Sequence, residues 1–405
     1  MYFQYPFSVT VVEELQKGIM FPALTVCTEN WINKSAFCTL LKSNCDDNDE
    51  PRPGQLSVLV QDLEAQAKVS MSAGDMFECY LRSSDPTCSA IRCKENIVRT
   101  YFRHPNHMCY TLDLIEYAES ESTFLQCKAP WTWELQMNVY WTTKASVAIE
   151  GTNKFPVIVH RPETCLPDKL SAIVGETGVE YALSVTQQTF IRLPPPYASK
   201  CTDYTRFGKH RAFGGYLNQD TCLQDCEIML QTTHCGCVDP ALAFAGAVGA
   251  RACTPGDVEV CVATLSRNNT FKPCHKKCRA PCMDTSYDVR LTGMGVASSK
   301  FLTSDEIKHF GLTVKFSSDT QKIFVYEPNL TIVEAFGYMG GYLGMWLGFS
   351  LLSILKGLEQ RILDFFFGSD RVTSIRISRN AAKKDPVHTS RLLNRRFQAL
   401  KMGLY

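Results

Sequence analysis

Apolar and polar residues alternate in short runs through much of the chain before residue 330, then give way to one continuous apolar stretch. Val9, Val11 and Val12, followed after Gly18 by FPALTVC at 21–27, predict extended structure across residues 1–30. Residues 31–130 are irregular and cysteine-rich, except that LSVLVQDLEAQAKV at 56–69 sets Leu56, Leu59, Val60 and Leu63 on one helical face. Strand patterning returns in 131–200 with VYWTTKASVAIE, FPVIVH and YALSVTQQTFIRL. Pro194–Pro196 closes that section, because three prolines continue neither a helix nor a central strand. DEIKHF at 305–310 predicts a helical turn. LTVKF and KIFVYEP then alternate about the turn-forming run Ser317–Thr320, which predicts a hairpin leading into the apolar stretch.

That stretch, Ala335–Leu355, holds 21 residues without a formal charge, enough to span a bilayer core. It carries glycines at 337, 340, 341, 344 and 348. In a water-exposed helix each costs about 1 kcal/mol relative to alanine. The spacings 337/341, 340/344 and 344/348 instead give the small-xxx-small face by which membrane helices approach one another. A second apolar run, Ala241–Ala250, has only ten residues and is too short to span.

Charge orients the span. From Lys356 onward there are 11 Lys and Arg against 4 Asp and Glu, leaving 31 against 37 before it. Basic flanks favour the cytoplasmic side, so 356–405 reads as an inner tail and 1–334 as extracellular. The span accounts for this basic charge, so no nucleic-acid partner is expected. All 19 cysteines lie between Cys27 and Cys282, as expected of a segment that matures in an oxidising compartment. The sequons at Asn33 and Asn268 fit the same placement, whereas Asn329 stands close to the membrane. No signal peptide precedes the extracellular part, which predicts a further span upstream of this sequence.

Ten cysteines fall within 201–282. Thr221-x-x-Gln224 resembles a capping box opening a helix that places Cys222 and Cys226 on one face, and Cys274 and Cys278 repeat the spacing. Antiparallel segments with matched spacing would join in rungs, 222 to 278 and 226 to 274, with 201–282 outside and 235–261 and 237–253 inside; ten cysteines admit many other pairings. With His234 and His275 nearby, zinc ligation is the competing arrangement, disfavoured by an extracellular setting. No phosphate-binding glycine loop, GxSxG or HExxH is present, so no enzyme activity, metal or cofactor is expected.

YFQYP at 2–6, FPALTVC at 21–27, RLPPPYASKC at 192–201, the ten-cysteine block with Cys253-Thr-Pro, and GGYLGMWLGFS at 340–350 together resemble the degenerin/epithelial sodium channel superfamily, in the manner of an invertebrate degenerin-like or pickpocket-like subunit. The resemblance covers nearly the whole chain, beginning just after the family's first transmembrane helix. It implies an α+β membrane protein with a disulfide-rich, hand-shaped ectodomain. A β palm and a helical thumb at 201–282 would lie within an extracellular domain at 1–334, followed by a transmembrane helix at 335–355 and a basic cytoplasmic tail at 356–405. It further implies a homotrimer or heterotrimer with related subunits in the plasma membrane, multi-pass when complete, amiloride-sensitive and conducting sodium ions through a lipid bilayer.

For individual residues, the resemblance implies the nested thumb pairs Cys201–Cys282, Cys222–Cys278, Cys226–Cys274, Cys235–Cys261 and Cys237–Cys253, with Cys27–Cys109 in the palm. Cys79 is expected to pair with Cys88, with Cys93 competing. Cys38, Cys45, Cys127, Cys165 and the cysteine left over at 88 or 93 remain unassigned, so at least one is unpaired or bonded elsewhere. Gly348, Phe349 and Ser350 fall on the selectivity tract, where glycine lets carbonyls face a narrow pore and serine offers an oxygen to a partly dehydrated cation. Gly344 falls on a position linked to amiloride-type block. Gly337 falls on the site where bulky residues hold degenerins open. Tyr5 and Tyr197 match an aromatic contact coupling the first span to the thumb.

Three departures qualify this. Ala263 and Arg267 stand where acid-sensing members carry carboxylates, which argues against proton gating there. Tyr338 replaces an acid near the outer pore. Lys356 replaces one at the inner end, where three lysines would oppose cation entry unless they snorkel. Gating by an extracellular ligand or force, or constitutive opening, is expected. The alternative is a non-conducting single-pass receptor or auxiliary subunit with a ligand-binding ectodomain.

Overall fold

Thirteen consecutive residues, Val179–Ile191, form the strand from which the larger part of the fold is built. The computed structural model describes residues 5–15, 20–52, 54–86, 88–104, 106–114, 132–149, 154–164, 173–208, 215–242, 249–296, 307–347 and 351–366. The chain divides into two units, Met1–Thr331 and Ile332–Tyr405.

In chain order the strands of the first unit are β1 (Phe7–Leu15), β2 (Ala23–Thr28), β3 (Ile32–Asn33), β4 (Phe77–Ser83), β5 (Ile91–Arg92), β6 (Ile97–Arg103), β7 (His107–Leu112), β8 (Trp133–Thr142), β9 (Ser146–Val147), β10 (Lys154–His160), β11 (Ile173–Glu176), β12 (Val179–Ile191), β13 (Met283–Val296), β14 (Ile307–Phe316) and β15 (Thr320–Pro328). An eight-stranded sheet runs β1-β15-β12-β14-β8-β4-β5, with β13 also on β12; a five-stranded sheet runs β11-β10-β2-β7-β6. Their facing sides read directly from the alternation. Leu135, Val139, Phe310, Leu312 and Leu183 from one sheet, and Val26, Tyr110 and Phe155 from the other, share one buried core. Phe155 bridges them, its ring 4.8 Å from Phe310 and 4.7 Å from Trp141. The result is a mixed α/β, disulfide-rich fold.

Residues 31–130, expected to be irregular, hold β3 to β7, and four further local expectations are corrected. LSVLVQDLEAQAKV is not one helix. A 3-10 turn over Gln55–Gln61 ends at Asp62, whose carboxylate then caps a separate helix, Leu63–Val69, by accepting the Ala65 N–H at 2.9 Å. The 201–282 helix starts one turn earlier than Thr221. Asn218 is its N-cap and exchanges bonds with Thr221, while Gln224 is buried within Gln219–Cys235. Ile307–Phe310 is strand rather than helical turn; residues 305 and 306 lie outside the described residues.

The fourth correction concerns topology. β14 and β15 form no hairpin. Both run parallel to β12 along the same edge, β14 against Glu180–Val185 and β15 against Gln188–Ile191, while β13 holds the opposite edge. Ser317–Asp319 is thus an interruption in an almost continuous path. It is fastened sideways, as the Ser317 N–H donates to the Val185 carbonyl at 2.9 Å and the Ser317 and Thr186 hydroxyls meet at 2.6 Å. Turn-forming residues here make a bulge, not a reversal.

The disulfides follow the registers. Cys27 and Cys109 face each other across β2 and β7 and are bonded. Cys79 pairs with Cys93, not Cys88. Tyr80 opposes Arg92 and Leu81 opposes Ile91, so the β4–β5 hairpin brings Cys93 level with Cys79, whereas Cys88 lies in the connection and is disulfide-bonded elsewhere. Cys38 and Cys45 are bonded to each other. Cys127 and Cys165 lie outside the described residues. Peptide mapping of the non-reduced, full-length protein should recover Cys79 linked to Cys93 and Cys38 to Cys45; a Cys79–Cys88 peptide as the major species would contradict this register.

One buried histidine makes the core sensitive to acid. His160 Nδ1 lies 3.0 Å from the Arg161 carbonyl, which can only accept, so Nδ1 carries the hydrogen. Nε2 therefore accepts from Thr25 at 3.0 Å, and Thr25 accepts from Thr111 at 2.7 Å. Burial pushes His160 down to about 4, against about 6.5 when unfolded. The unfolded chain then binds more protons between these values. The stability contributed by neutral His160 is complete above about pH 6.5 and is lost as pH falls towards 4, up to about 3 kcal/mol. Unfolding midpoints of the full chain should drop across this window, and His160→Gln should flatten the drop while lowering stability at neutral pH.

Candidate functional site

The end of the first unit nearest residue 331 gathers the aromatic residues that the alternation of β1, β12 and β15 throws to one place. β1 and β15 pair antiparallel from Phe7–Pro328 to Leu15–Thr320, and the Asn329 N–H donates to the Pro6 carbonyl at 3.1 Å. The chain therefore enters and leaves this unit at adjacent points. Phe7 lies 5.3 Å from Tyr326, and Phe190 of β12 stacks on Phe324 of β15 at 4.7 Å and 10°. Tyr5 and Tyr197 meet edge to face at 5.7 Å. Such pairs add about 0.5–1.5 kcal/mol beyond burial.

Arg192, the residue after β12, joins this aromatic group to the cysteine block. Its guanidinium lies 4.9 Å from the centre of the Phe190 ring and 6.0 Å from that of Tyr326. The same group donates to the Pro281 carbonyl at 2.9 Å and approaches Asp284 at 3.7 Å, and the Arg192 N–H donates to the Cys282 carbonyl at 2.7 Å. Cys282 is bonded to Cys201, beyond the Pro194–Pro196 run. Sequence patterning alone assigns Arg192 no role. The available signal is an arginine two residues after Phe190, on the same side of an extended segment.

Above Cys201–Cys282 the ladder continues. Cys222–Cys278 and Cys226–Cys274 join Gln219–Cys235 to Lys272–Lys277, and Cys235–Cys261 and Cys237–Cys253 close the far end. Gly236 ends the long helix in the left-handed region at φ +66°, which glycine adopts without strain. All ten cysteines are consumed as disulfides, so the zinc arrangement does not occur. Among the described residues no cluster of His, Cys, Asp or Glu could hold a metal. Ala263 and Arg267 lie together on the short helix Ala263–Arg267, directly before Asn268. Asn268 is exposed, while Asn33 caps Lys34–Leu40 by accepting the Ala36 N–H at 3.0 Å.

The second unit has helices Ile332–Leu347 and Leu351–Phe366. Gly337, Tyr338 and Gly344 lie on the first, Lys356 on the second; Gly348, Phe349 and Ser350 lie outside the described residues. A Cβ added at Gly337, Gly340 or Gly341 meets nothing within 4 Å, and Phe336, Tyr342, Met345 and Trp346 are exposed, so the helix has an open small-residue side and bulky apolar flanks. Among the described residues no helix is long and apolar enough to cross a membrane.

Comparison with known proteins follows the motifs. The family model of the amiloride-sensitive sodium channel matches residues 1–358. The chain is 22% identical to the degenerin-like protein unc-105 of Caenorhabditis elegans over 336 residues, covering 74% of this chain and 36% of that protein. It is 24% identical to the degenerin-like protein asic-2 of the same organism over 219 residues, 46% of this chain and 40% of that one. It is 22% identical to the epithelial sodium channel subunit alpha of Neoceratodus forsteri over 209 residues, 44% and 30% respectively. The chain thus spans well under half the length of these relatives. A cryo-EM structure of a proton-activated chloride channel overlaps 90% of this chain at 4% identity, with a TM-score of 0.30 that carries no argument; 87% of that chain is covered.

Replacing Arg192 by Met removes its carbonyl and aromatic contacts together and should cost about 2 kcal/mol, read as a lower unfolding midpoint of the full-length protein. Arg192→Lys should recover less than half, since a single ammonium cannot lie flat on Phe190 and reach Pro281 at once. Full recovery by lysine would show that charge alone matters there.

Proposed function

We propose that this chain, which belongs to the amiloride-sensitive sodium channel family, is part of a subunit of a trimeric, sodium-selective, amiloride-sensitive channel of the plasma membrane. The family is one of ion channels, not of enzymes, and the match across residues 1–358 is the observation that carries the reading. In this reading residues 1–334 are extracellular, 335–355 cross the bilayer and 356–405 are cytoplasmic. Partner subunits are further copies or relatives of the chain.

Within the span, Gly348, Phe349 and Ser350 would form the filter, the small side chains of Gly348 and Ser350 leaving carbonyl and hydroxyl oxygens to a narrow cation path. Gly344 would contribute to block by amiloride and Gly337 to the gate, where its missing side chain lets the helices close. Tyr5 and Tyr197 would couple the segment that leads into β1 to the cysteine ladder. Their contact and the pairing of β1 with β15 support a mechanical path, because both entry and exit segments are held to the same strands. Asn33 and Asn268 would carry glycans; Asn268 is the more exposed.

Lys356 favours a second reading, an auxiliary subunit in a heteromer or a non-conducting receptor. Three ammonium groups at the inner end of a pore raise the potential a cation must cross, unless the long side chains carry them out to the headgroups.

The full-length protein, expressed in oocytes alone and with related subunits, should carry an inward current that disappears when external sodium is replaced by N-methyl-D-glucamine and falls with amiloride. Gly337→Val should raise basal current, and Lys356→Glu should increase sodium conductance. Current indifferent to sodium, or none with any partner, would favour the receptor.

A further inference from the structure

A groove of about 250 Å³ opens on the face of the eight-stranded sheet opposite its core, lined by Glu78, Asn138, Tyr140, Ile307 and His309. Its floor is set by register. Glu78 opposes Asn138, and Asn138 opposes Gly311, which opposes Glu180, so one row crosses β4, β8, β14 and β12 on a single face. Tyr140 opposes His309 in the adjacent row. Gly311 is required there, because a Cβ would lie 2.9 Å from Glu180 Cγ and 3.3 Å from Asn138 Oδ1.

The polar groups are few and oriented. The Tyr80 hydroxyl donates to Glu78 Oε1 at 3.0 Å. The second oxygen of Glu78 has no hydrogen-bond partner among the described residues. Burial, reinforced by Glu78, Asp75 and Tyr80, pushes the Tyr140 phenol up, so it stays neutral as a donor and as a π-face. Arg82 and Arg92 stand against the Tyr80 ring at 5.6 and 5.8 Å and do not line the groove. The rest of the lining is the Asn138 amide, the His309 imidazole, the Tyr140 ring and Ile307, a mostly apolar surface.

One carboxylate oxygen beside aromatic and aliphatic carbon suits a particular chemistry. An inorganic cation takes six or more oxygens in the case of calcium, far more than are offered here. An anion would meet Glu78. A protonated amine satisfies the carboxylate and places its carbon body on the tyrosine face and isoleucine. We infer that this groove binds a small organic cation, a protonated amine with an apolar body, its ammonium on Glu78 and its body against Tyr140 and Ile307. The size admits a single ring, with affinity in the range of such fragments.

The test measures occupancy and not current, so it stands or falls separately from conduction. Phenethylamine is titrated into the full-length, detergent-purified protein by calorimetry, alongside 2-phenylethanol, which keeps the ring and chain but lacks the charge. Saturable phenethylamine binding is expected, about tenfold weaker in Glu78→Gln, with 2-phenylethanol at least about tenfold weaker on the unaltered protein. Glu78→Gln keeps an acceptor for Tyr80, and equal unfolding midpoints show that it folds; should it not fold, the comparison with the alcohol decides. No saturable phenethylamine binding, equal binding of the alcohol, or an unchanged affinity in folded Glu78→Gln overturns the assignment.

Discussion

The first unit depends on β12 having both edges filled along its length, one by β13 and the other by β14 and then β15. Each backbone N–H and C=O of a buried strand needs a partner, and a thirteen-residue strand presents them on both sides. Handing one edge from β14 to β15 splits the sheet. The upper half continues through β8 and β4 over the common core, and the lower half continues only to β1. That division leaves the aromatic cluster around Phe190, Phe324 and Tyr326 separate from the core around Phe155.

Covalent and noncovalent ties alternate from there outward. The cysteine block touches the strands through Arg192, Pro281 and Cys282, and is itself held by five disulfides in a nested order. Arg192, on two aromatic rings and a backbone carbonyl, is one of these links, and the Tyr216 N–H adds another by donating to the Glu163 carbonyl at 2.8 Å.

Strand positions are legible where a sheet covered on one side imposes strict alternation, as in WELQMNVYWT of β8, but not within residues 31–130, which read as irregular and yet hold β3 to β7. The nested cysteine pairs are implied by resemblance and have matching intervals. What the sequence did not show was which edges meet. Two strands flanking Ser317–Thr320 look like a hairpin because local pairing is the usual outcome of a turn run, yet both found β12, more than a hundred residues upstream. The choice between Cys88 and Cys93 for Cys79 likewise rests on the β4–β5 register, which no local pattern marks. Arg192 and the Glu78 groove are assembled from strands far apart in sequence, and no local pattern marks them.

The antiparallel pairing of β1 with β15 has a directional consequence. Its hydrogen bonds lie across the strands, and the entering and leaving segments emerge side by side at Phe7 and Pro328. Drawing residues 6 and 329 apart sideways loads the terminal bonds first and opens the ribbon like a zip, one rung after another. Tension along β15 alone loads all nine register pairs with β1 together, and its pairing with β12 as well. The same ribbon is thus compliant to spreading of its two ends and stiff to axial pull.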